Sequence, residues 1–575
     1  MTQQQNGAAG AGGLSRRIDQ ALGRDKADLV IKDTAFLNVV TGEIARGDIA
    51  LCGDRIVGTY ESYSGTREID GRDAVVVPGF VDSHVHCEST LVGPLEFDRC
   101  VLPRGTTTAV CDPHEICNVL GRQGLDYFLE CAGATAIDLR VQLSSCVPAT
   151  HLETAGARLT AADLAPYKGH PRSLGLAEFM NYPGLLMKDP EVMDKLELFQ
   201  GTHIDGHAPL VSGYDLNAYL SCGIRNCHET TSMPEAMEKL RKGMQVLIRD
   251  GTVSKDLEAL AGLVTPELSP FLGFCTDDRN PLDIAEEGHL DHLIRKAIAL
   301  GAPAHHVYRA ATWSAARHFG LTDRGLVAPG YRADLVLLDD LESCAVRSVI
   351  RGGRMVDEAM FAARPQVAPV GLGSVKRRPV TAEDFRVPAS GPTGPVIGVE
   401  AGKIVTHHLR LSLPFSGGLR HPDPAQDVAK VAVLERHGRN GNVGRGFVKG
   451  FGLTSGALAS SVGHDSHNIC VVGTNDADMA LAVNRLIELQ GGFVAVADGR
   501  VLGELPLPLA GLMSLKPFED VRHGLEDLRS VVRALGCPLP EPFLQLAFLP
   551  LPVIPHLKIT DQGVVDVDRF ELVAA

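Results

Sequence analysis

Between Val75 and Asp278 the chain keeps one rhythm, an apolar or β-branched run followed by a stretch with helical spacing. Eight such runs occur, at Val75–His86, Thr106–His114, Leu139–Pro148, Ser173–Asn181, Thr202–His207, Arg225–Thr230, Gln245–Arg249 and Gly273–Asp278. Helix candidates between them include Leu125–Gly133, Pro190–Phe199, Tyr214–Cys222, Pro234–Lys242 and Lys255–Leu263. Strands that read as near-continuous apolar runs must be covered on both faces, and parallel neighbours need a crossover between them. The alternation therefore implies parallel β-α units, and eight of them in about 240 residues is the size of a (β/α)8 TIM barrel.

At 575 residues the chain is too long for one core. Short strand candidates precede the barrel at Ala27–Val39, Gly47–Leu51 and Arg55–Thr59, and a β pattern returns at Gly325–Asp339, after helix candidates His289–Leu300 and His305–Phe319. The two ends are expected to pair in one small flanking β-sandwich. A Pro-, Gly- and Ser-rich stretch with a basic knot at Lys376-Arg377-Arg378 reads as a loose connection. Beyond it, strand runs at Val396–Val399, Ile469–Val472 and Gly492–Ala497 mix with helices at Asp476–Leu489 and Leu525–Leu535. The expected division is a small β domain from residues 1–77 plus 322–365, a catalytic barrel over 78–321, a linker over 366–395 and a separate C-terminal α/β domain over 396–575.

Catalytic groups of such barrels stand at the C-terminal ends of the strands. Reading those ends in turn yields His84 and His86, one residue apart and so on one face of their strand, then Glu178, His207, His228 with Glu229, and Asp277 with Asp278. Taken singly, each has a plain structural explanation: an Asp pair can cap a helix, and a His before proline can sit in a loop. Together they put four imidazoles and several carboxylates at one mouth. Asp112, His114 and Glu115 follow the second run, where they would line a substrate pocket, hold a further cation or form a solvated loop, and Glu88 and Ser89 follow the His pair.

Composition narrows the partners. Fifty-five basic and 70 acidic residues leave a charge of −15, the wrong sign for a nucleic-acid surface. Thirteen cysteines without a C-x-x-C pair suit a reducing compartment. The first thirteen residues read as a loose tail rather than a signal peptide, and no run reaches the ~18 apolar residues needed to span a bilayer, so a cytoplasmic location without membrane contact is expected.

The order His-x-His, strand-four acid, His, His, Asp resembles the amidohydrolase superfamily, as do Pro78-Gly-Phe-Val-Asp-Ser-His-Val-His86 and Gly325-Leu-Val-Ala-Pro-Gly-Tyr-Arg-Ala-Asp-Leu-Val336. Many binuclear members carry a carbamylated lysine on strand four, where this chain has Glu178. Cys111-Asp-Pro-His-Glu-Ile-Cys-Asn-Val-Leu-Gly121, Ala177-Glu-Phe-Met-Asn181, Gly206-His-Ala-Pro209, Cys227-His-Glu-Thr230, Cys275-Thr-Asp-Asp-Arg-Asn-Pro281, Leu434-Glu-Arg-His-Gly438 and Gly463-His-Asp-Ser-His-Asn468 are similar to the adenine deaminase family nearly end to end.

The resemblance implies hydrolytic deamination of adenine to hypoxanthine and ammonia in purine salvage, by a homo-oligomer acting on a free purine base. It implies two divalent ions, one on His84, His86 and Asp277, the other on His207 and His228, with Glu178 on both. Mixed imidazole and carboxylate ligands suit Mn2+, Fe2+ or Zn2+, and the resemblance favours manganese or iron. Asp277, Glu229 and Asp278 compete for the proton shuttle, with Asp277 preferred as ligand over Asp278. Glu88, Ser89, Asp112, His114 and Glu115 are expected around the substrate. His464-Asp-Ser-His467 reads as a lid reaching the mouth or, more simply, as a structural turn.

Two other classes compete: a binuclear hydrolase of a cyclic or acyl amide, which ordinarily has the strand-four lysine, and a non-catalytic scaffold, which would have lost ligands. The His86-Cys-Glu88 match to zinc cytidine-type deaminases lacks their P-C-x-x-C partner and is accidental.

Overall fold

The computed structural model describes residues 9–575. The opening stretch read as a loose tail lies outside the described residues up to position 8, and from Ala9 to Ala21 the chain is helical. Strands β1 (Ala27–Leu37), β2 (Ile44–Cys52), β3 (Arg55–Gly58), β4 (Gly65–Asp70) and β5 (Val75–Pro78) follow. Then come β6 (Phe80–Val85), β7 (Thr106–Cys111), β8 (Asp138–Leu143), β9 (Ser173–Phe179), β10 (His203–Gly206), β11 (Asn226–Cys227), β12 (Gln245–Arg249) and β13 (Leu272–Cys275). Strands β14 (Leu335–Leu338), β15 (Val346–Arg351) and β16 (Arg354–Met355) come after a helical stretch that contains one π turn at Ala310–Ser314.

Strands β6 to β10 form one parallel sheet of five and β11 to β13 another of three. Side chains join the first gap: the Gly206 N–H donates to Asn226 Oδ1 at 2.9 Å. Backbone joins the second, where Val85 bridges Asp277 and the Asp277 N–H donates to the His84 carbonyl at 3.0 Å. The result is TIM-barrel-like. Every residue of β6, β7, β12 and β13 is buried, as strands covered on both faces must be.

The run Val75–His86, expected as one strand, is two. Strand β5 lies antiparallel to β14 in another sheet, of order β16-β15-β14-β5-β1-β2-β3 with β4 beside β1, and only β6 enters the barrel-like core. Pro78 has no N–H for a ladder, which favours a break there. Gly79 makes the crossing: a Cβ on it would fall 2.2 Å from Thr107 Oγ1. Gly79→Ala is therefore expected to cost ~1–3 kcal/mol, read as a lower calorimetric unfolding midpoint. The flanking sheet is continuous rather than two separate layers, but it curls, because Ile49, Leu51 and Ile56 share one buried cluster with Leu335, Leu337 and Ile350 from its other end.

The C-terminal part carries a second sheet of eight strands, built around Val428–Leu434 and Ile469–Gly473, with helix Asp476–Leu489 packed on it. The Asn475 side chain caps that helix by accepting from the Asp478 N–H. Helix Phe518–Ala534 starts about two turns before the expected Leu525. The stretch read as a loose connection is packed: Val375, Val380 and Phe385 lie in the same core as Leu486 and Val494, and Arg377 donates to the Asn442 carbonyl at 2.9 Å. Its prolines and glycines signalled an irregular backbone, but its spaced apolar side chains determine its burial.

Candidate metal centre

The strand ends aim their polar side chains at one point. His84 and His86 leave the end of β6 with their Nε2 atoms 3.1 Å apart. Glu178 on β9 stands between them and the far side. Its Oε1 is 3.5 Å from His84 Nε2 and 3.3 Å from His86 Nε2, and its Oε2 is 2.6 Å from His207 Nδ1 and 3.2 Å from His228 Nε2. Asp277 Oδ1 lies 3.6 Å and 3.2 Å from the His84 and His86 Nε2 atoms. All six side chains are buried. Asp277 adopts a left-handed backbone (φ 53°), a conformation Asp tolerates better than most residues. The turn sends Asp277 to the histidines and Asp278 to Ser89, whose hydroxyl donates to it.

These spacings suit cations better than hydrogen bonds. Ligand atoms around an ion with ~2.1 Å bonds sit about 3 Å apart. The His86 Nδ1 faces the Asp112 carbonyl at 3.0 Å, and a carbonyl only accepts, so that nitrogen carries the proton and Nε2 offers its lone pair to the centre. His207 Nε2, His228 Nδ1 and His84 Nδ1 are buried without a hydrogen-bond partner among the described residues. Burial opposes charge on every group here, yet the Asp205 and Glu178 carboxylates hold His84 up to about 10. Glu178 is likewise held well below its ordinary range, against burial, by His228 and His207. A cation bound by these imidazoles must displace any protons they hold, so metal affinity rises with pH.

Two surrounding groups escaped the sequence reading. Asp205, inside β10, places Oδ2 3.9 Å from His84 Nδ1 and accepts from His203 at 2.5 Å. Its charge faces His84 across a gap longer than a hydrogen bond, and Asp205→Asn, which removes that charge, is expected to weaken metal binding about 10- to 100-fold in a chelator-competition titration. Arg249, the last residue of β12, donates to Asp277 at 2.9 Å and grips both Glu229 oxygens, one of them at 3.0 Å. It is itself buried and charged by those carboxylates. Arg249 does stand at a strand end, but a cation is no metal ligand, and Asp205 lies within β10, before the end where the ligand side chains emerge.

The other expected residues divide. His114 and Glu115 line the cavity over the centre, and His114 Nδ1 is 2.9 Å from Asp112 and 3.4 Å from Glu178. Asp112, Glu88 and Ser89 are not among the residues that line that cavity. Asp112 braces His114, and Glu88 accepts from the Ile116 N–H at 3.2 Å, its carboxyl pushed up to about 8 by burial. His464 and His467 both contact Glu115, and Asp465 is 3.7 Å from His114, so the simpler reading of that segment as a structural turn gives way to one at the mouth.

The model of the amidohydrolase family matches residues 75–356, and that of the adenine deaminase C-terminal domain matches residues 403–571. A protein from Methylobacterium nodulans named adenine deaminase is 64% identical over 560 residues, covering 97% of this chain and 99% of its own length. The chain belongs to the adenine deaminase family. Another adenine deaminase relative, adenine deaminase 1 of Agrobacterium fabrum, is 62% identical over 97% of both chains. Among solved structures, the N-acetyl-D-glucosamine-6-phosphate deacetylase of Mycobacterium smegmatis covers 57% of this chain and all of its own, at 18% identity and a TM-score of 0.43. The amidohydrolase match implies divalent metal ions, and the buried His and carboxylate cluster is a place that fits them. None of the described helices is long and apolar enough to cross a membrane.

Proposed function

We propose that this chain hydrolyses adenine to hypoxanthine and ammonia, using two divalent ions, manganese or iron in preference to zinc. The observation that carries the reading is the placement of Glu178, whose two oxygens face separate histidine pairs, in a chain nearly two-thirds identical to proteins named adenine deaminase. His84, His86 and Asp277 would hold one ion and His207 and His228 the other, with Glu178 shared. Bound there, the ions supply the Lewis acidity that makes water a nucleophile near neutral pH.

The chain's own groups move the protons. Water adds its oxygen to C6 and must give up two protons, one to N1 and one to the departing amino group, as the C6–N bond breaks. Glu229, kept ionised by Arg249 and within 3.9 Å of His207, is placed to take the first proton and deliver it to N1. Asp277, shared between Arg249 and the histidines, passes the second to the leaving group, and Asp278 stands at the mouth beside it. We further propose that the barrel closes fully as a (β/α)8 unit over residues 78–321, flanked by a β domain from 1–77 plus 322–365 and by a C-terminal domain over 396–575, in a cytoplasmic homo-oligomer that does not bind nucleic acid.

The test is ammonia release from adenine, adenosine, guanine and cytosine, with and without a chelator. Chelator-sensitive conversion of adenine to hypoxanthine is expected, and turnover of a cyclic amide with none of adenine would overturn the reading.

A further inference from the structure

The cavity over the centre has two unlike halves. The barrel side is almost wholly polar, with His86, His207, Glu229, Arg249 and Asp277 among its walls. Apart from Met180 on the barrel side, the apolar wall comes from the C-terminal part, as Ile404, Phe548, Leu551 and Ile554. A purine is a flat apolar ring with acceptors on its edges, so the barrel can attack it but supplies little to grip its faces or its far edge.

One polar side chain in that wall is held on several sides and free on one. The His464 N–H donates to the Ala547 carbonyl at 2.8 Å, fixing the residue to the segment that carries Phe548. The Phe548 ring stacks on the imidazole, 4.5 Å away and 8° from parallel. Nδ1 meets Glu115 Oε1 at 2.7 Å. Nε2 is buried and has no partner among the described residues. This is an ion-pair contact, and the Glu115 charge, against the pull of burial, keeps the imidazole protonated on both nitrogens up to about 9. Nε2 is thus a second donor, oriented and unused, and leaving it unpaired is costly. The wall around it is also secured. Lys558, buried with no carboxylate paired to it among the described residues, donates to the carbonyls of Ile404 (2.7 Å) and Phe548 (3.0 Å).

We propose that His464, delivered by the C-terminal part, is a substrate-binding residue whose Nε2–H donates to a ring nitrogen of the purine other than N1, while Phe548 and its apolar neighbours cover the ring. This rests on the adenine reading of the centre. It gives the C-terminal part a task in substrate selection, since a base with carbon at that position leaves the donor unpaired.

The experiment is an analogue cycle on the full-length metal-loaded protein. Adenine, 3-deazaadenine and 7-deazaadenine, all of which keep N1 and C6, are compared as substrates or competitive inhibitors of the unsubstituted chain, His464→Leu and His464→Gln. For the unsubstituted chain, one analogue is expected to be worse than adenine by about 10- to 100-fold. In His464→Leu that preference should shrink to within about threefold, with KM for adenine raised more than kcat is lowered and metal content unchanged. His464→Gln, which keeps a donor, should restore part of the preference and serves alone if the Leu variant does not fold. If both analogues are disfavoured equally in all three proteins, or neither is disfavoured in any, the proposal is overturned. Failure of the unsubstituted chain to deaminate adenine would instead overturn the functional reading beneath it.

Discussion

Glu178→Gln is expected to abolish turnover of adenine, lowering kcat/KM by at least ~10^4-fold, which is about 5.5 kcal/mol of transition-state stabilisation. The amide keeps the shape of the carboxylate and loses one acceptor oxygen and the charge. In the native centre one oxygen faces His84 and His86 while the other faces His207 and His228. With Gln, one of the two histidine groups must face an NH2, which repels a cation. Elemental analysis after dialysis should find well below two ions per chain. Two retained ions would show that Glu178 is not shared between them, whatever the activity.

Glu229→Gln separates chemistry from metal binding. Glu229 contacts the centre only at 3.8–3.9 Å from His228 and His207, and its firm partner is Arg249. Metal content should stay at two per chain while kcat falls ~10^2- to 10^4-fold, the range of a lost general acid–base group. The direction of the pH response is also set. Arg249, working against burial, holds the Glu229 carboxyl below its ordinary range, so the activity it supports is present above that depressed value and lost as pH falls through it. The acidic limb of the kcat profile should flatten in the variant. A collapse of metal content alongside kcat would instead make Glu229 a structural part of the centre.

What the sequence showed and hid follows from the physics of each signal. Period-two alternation and strand-end chemistry are local, and they led to His84, His86, Glu178, His207, His228 and Asp277, six side chains that converge in the structure. The choice of Asp277 over Asp278 as the residue facing the histidines turns on one left-handed φ, which a pair of identical residues cannot reveal. Pairing between distant segments is not local either. Within Val75–His86 only the Pro78-Gly79 break marks where the flanking domain gives way to the barrel, and nothing local names β14 as the partner of Val75–Pro78. The same limit hid the approach of His464 to Glu115, since a loop some 350 residues downstream has no periodicity that points to its destination.

The second gap between the parallel strands has a consequence of its own. The hydrogen bonds that bring the end of β13 beside β6 run between the backbones of His84, His86 and Asp277, the same three residues whose side chains would share an ion. A cation there acts as a clasp on a belt, fastening the first turn of the ring to the last. Loss of the ion should loosen this edge of the barrel-like core before any other part, so that its amides at Val85, His86 and Asp277 exchange with solvent while the opposite strands, β8 and β9, stay protected.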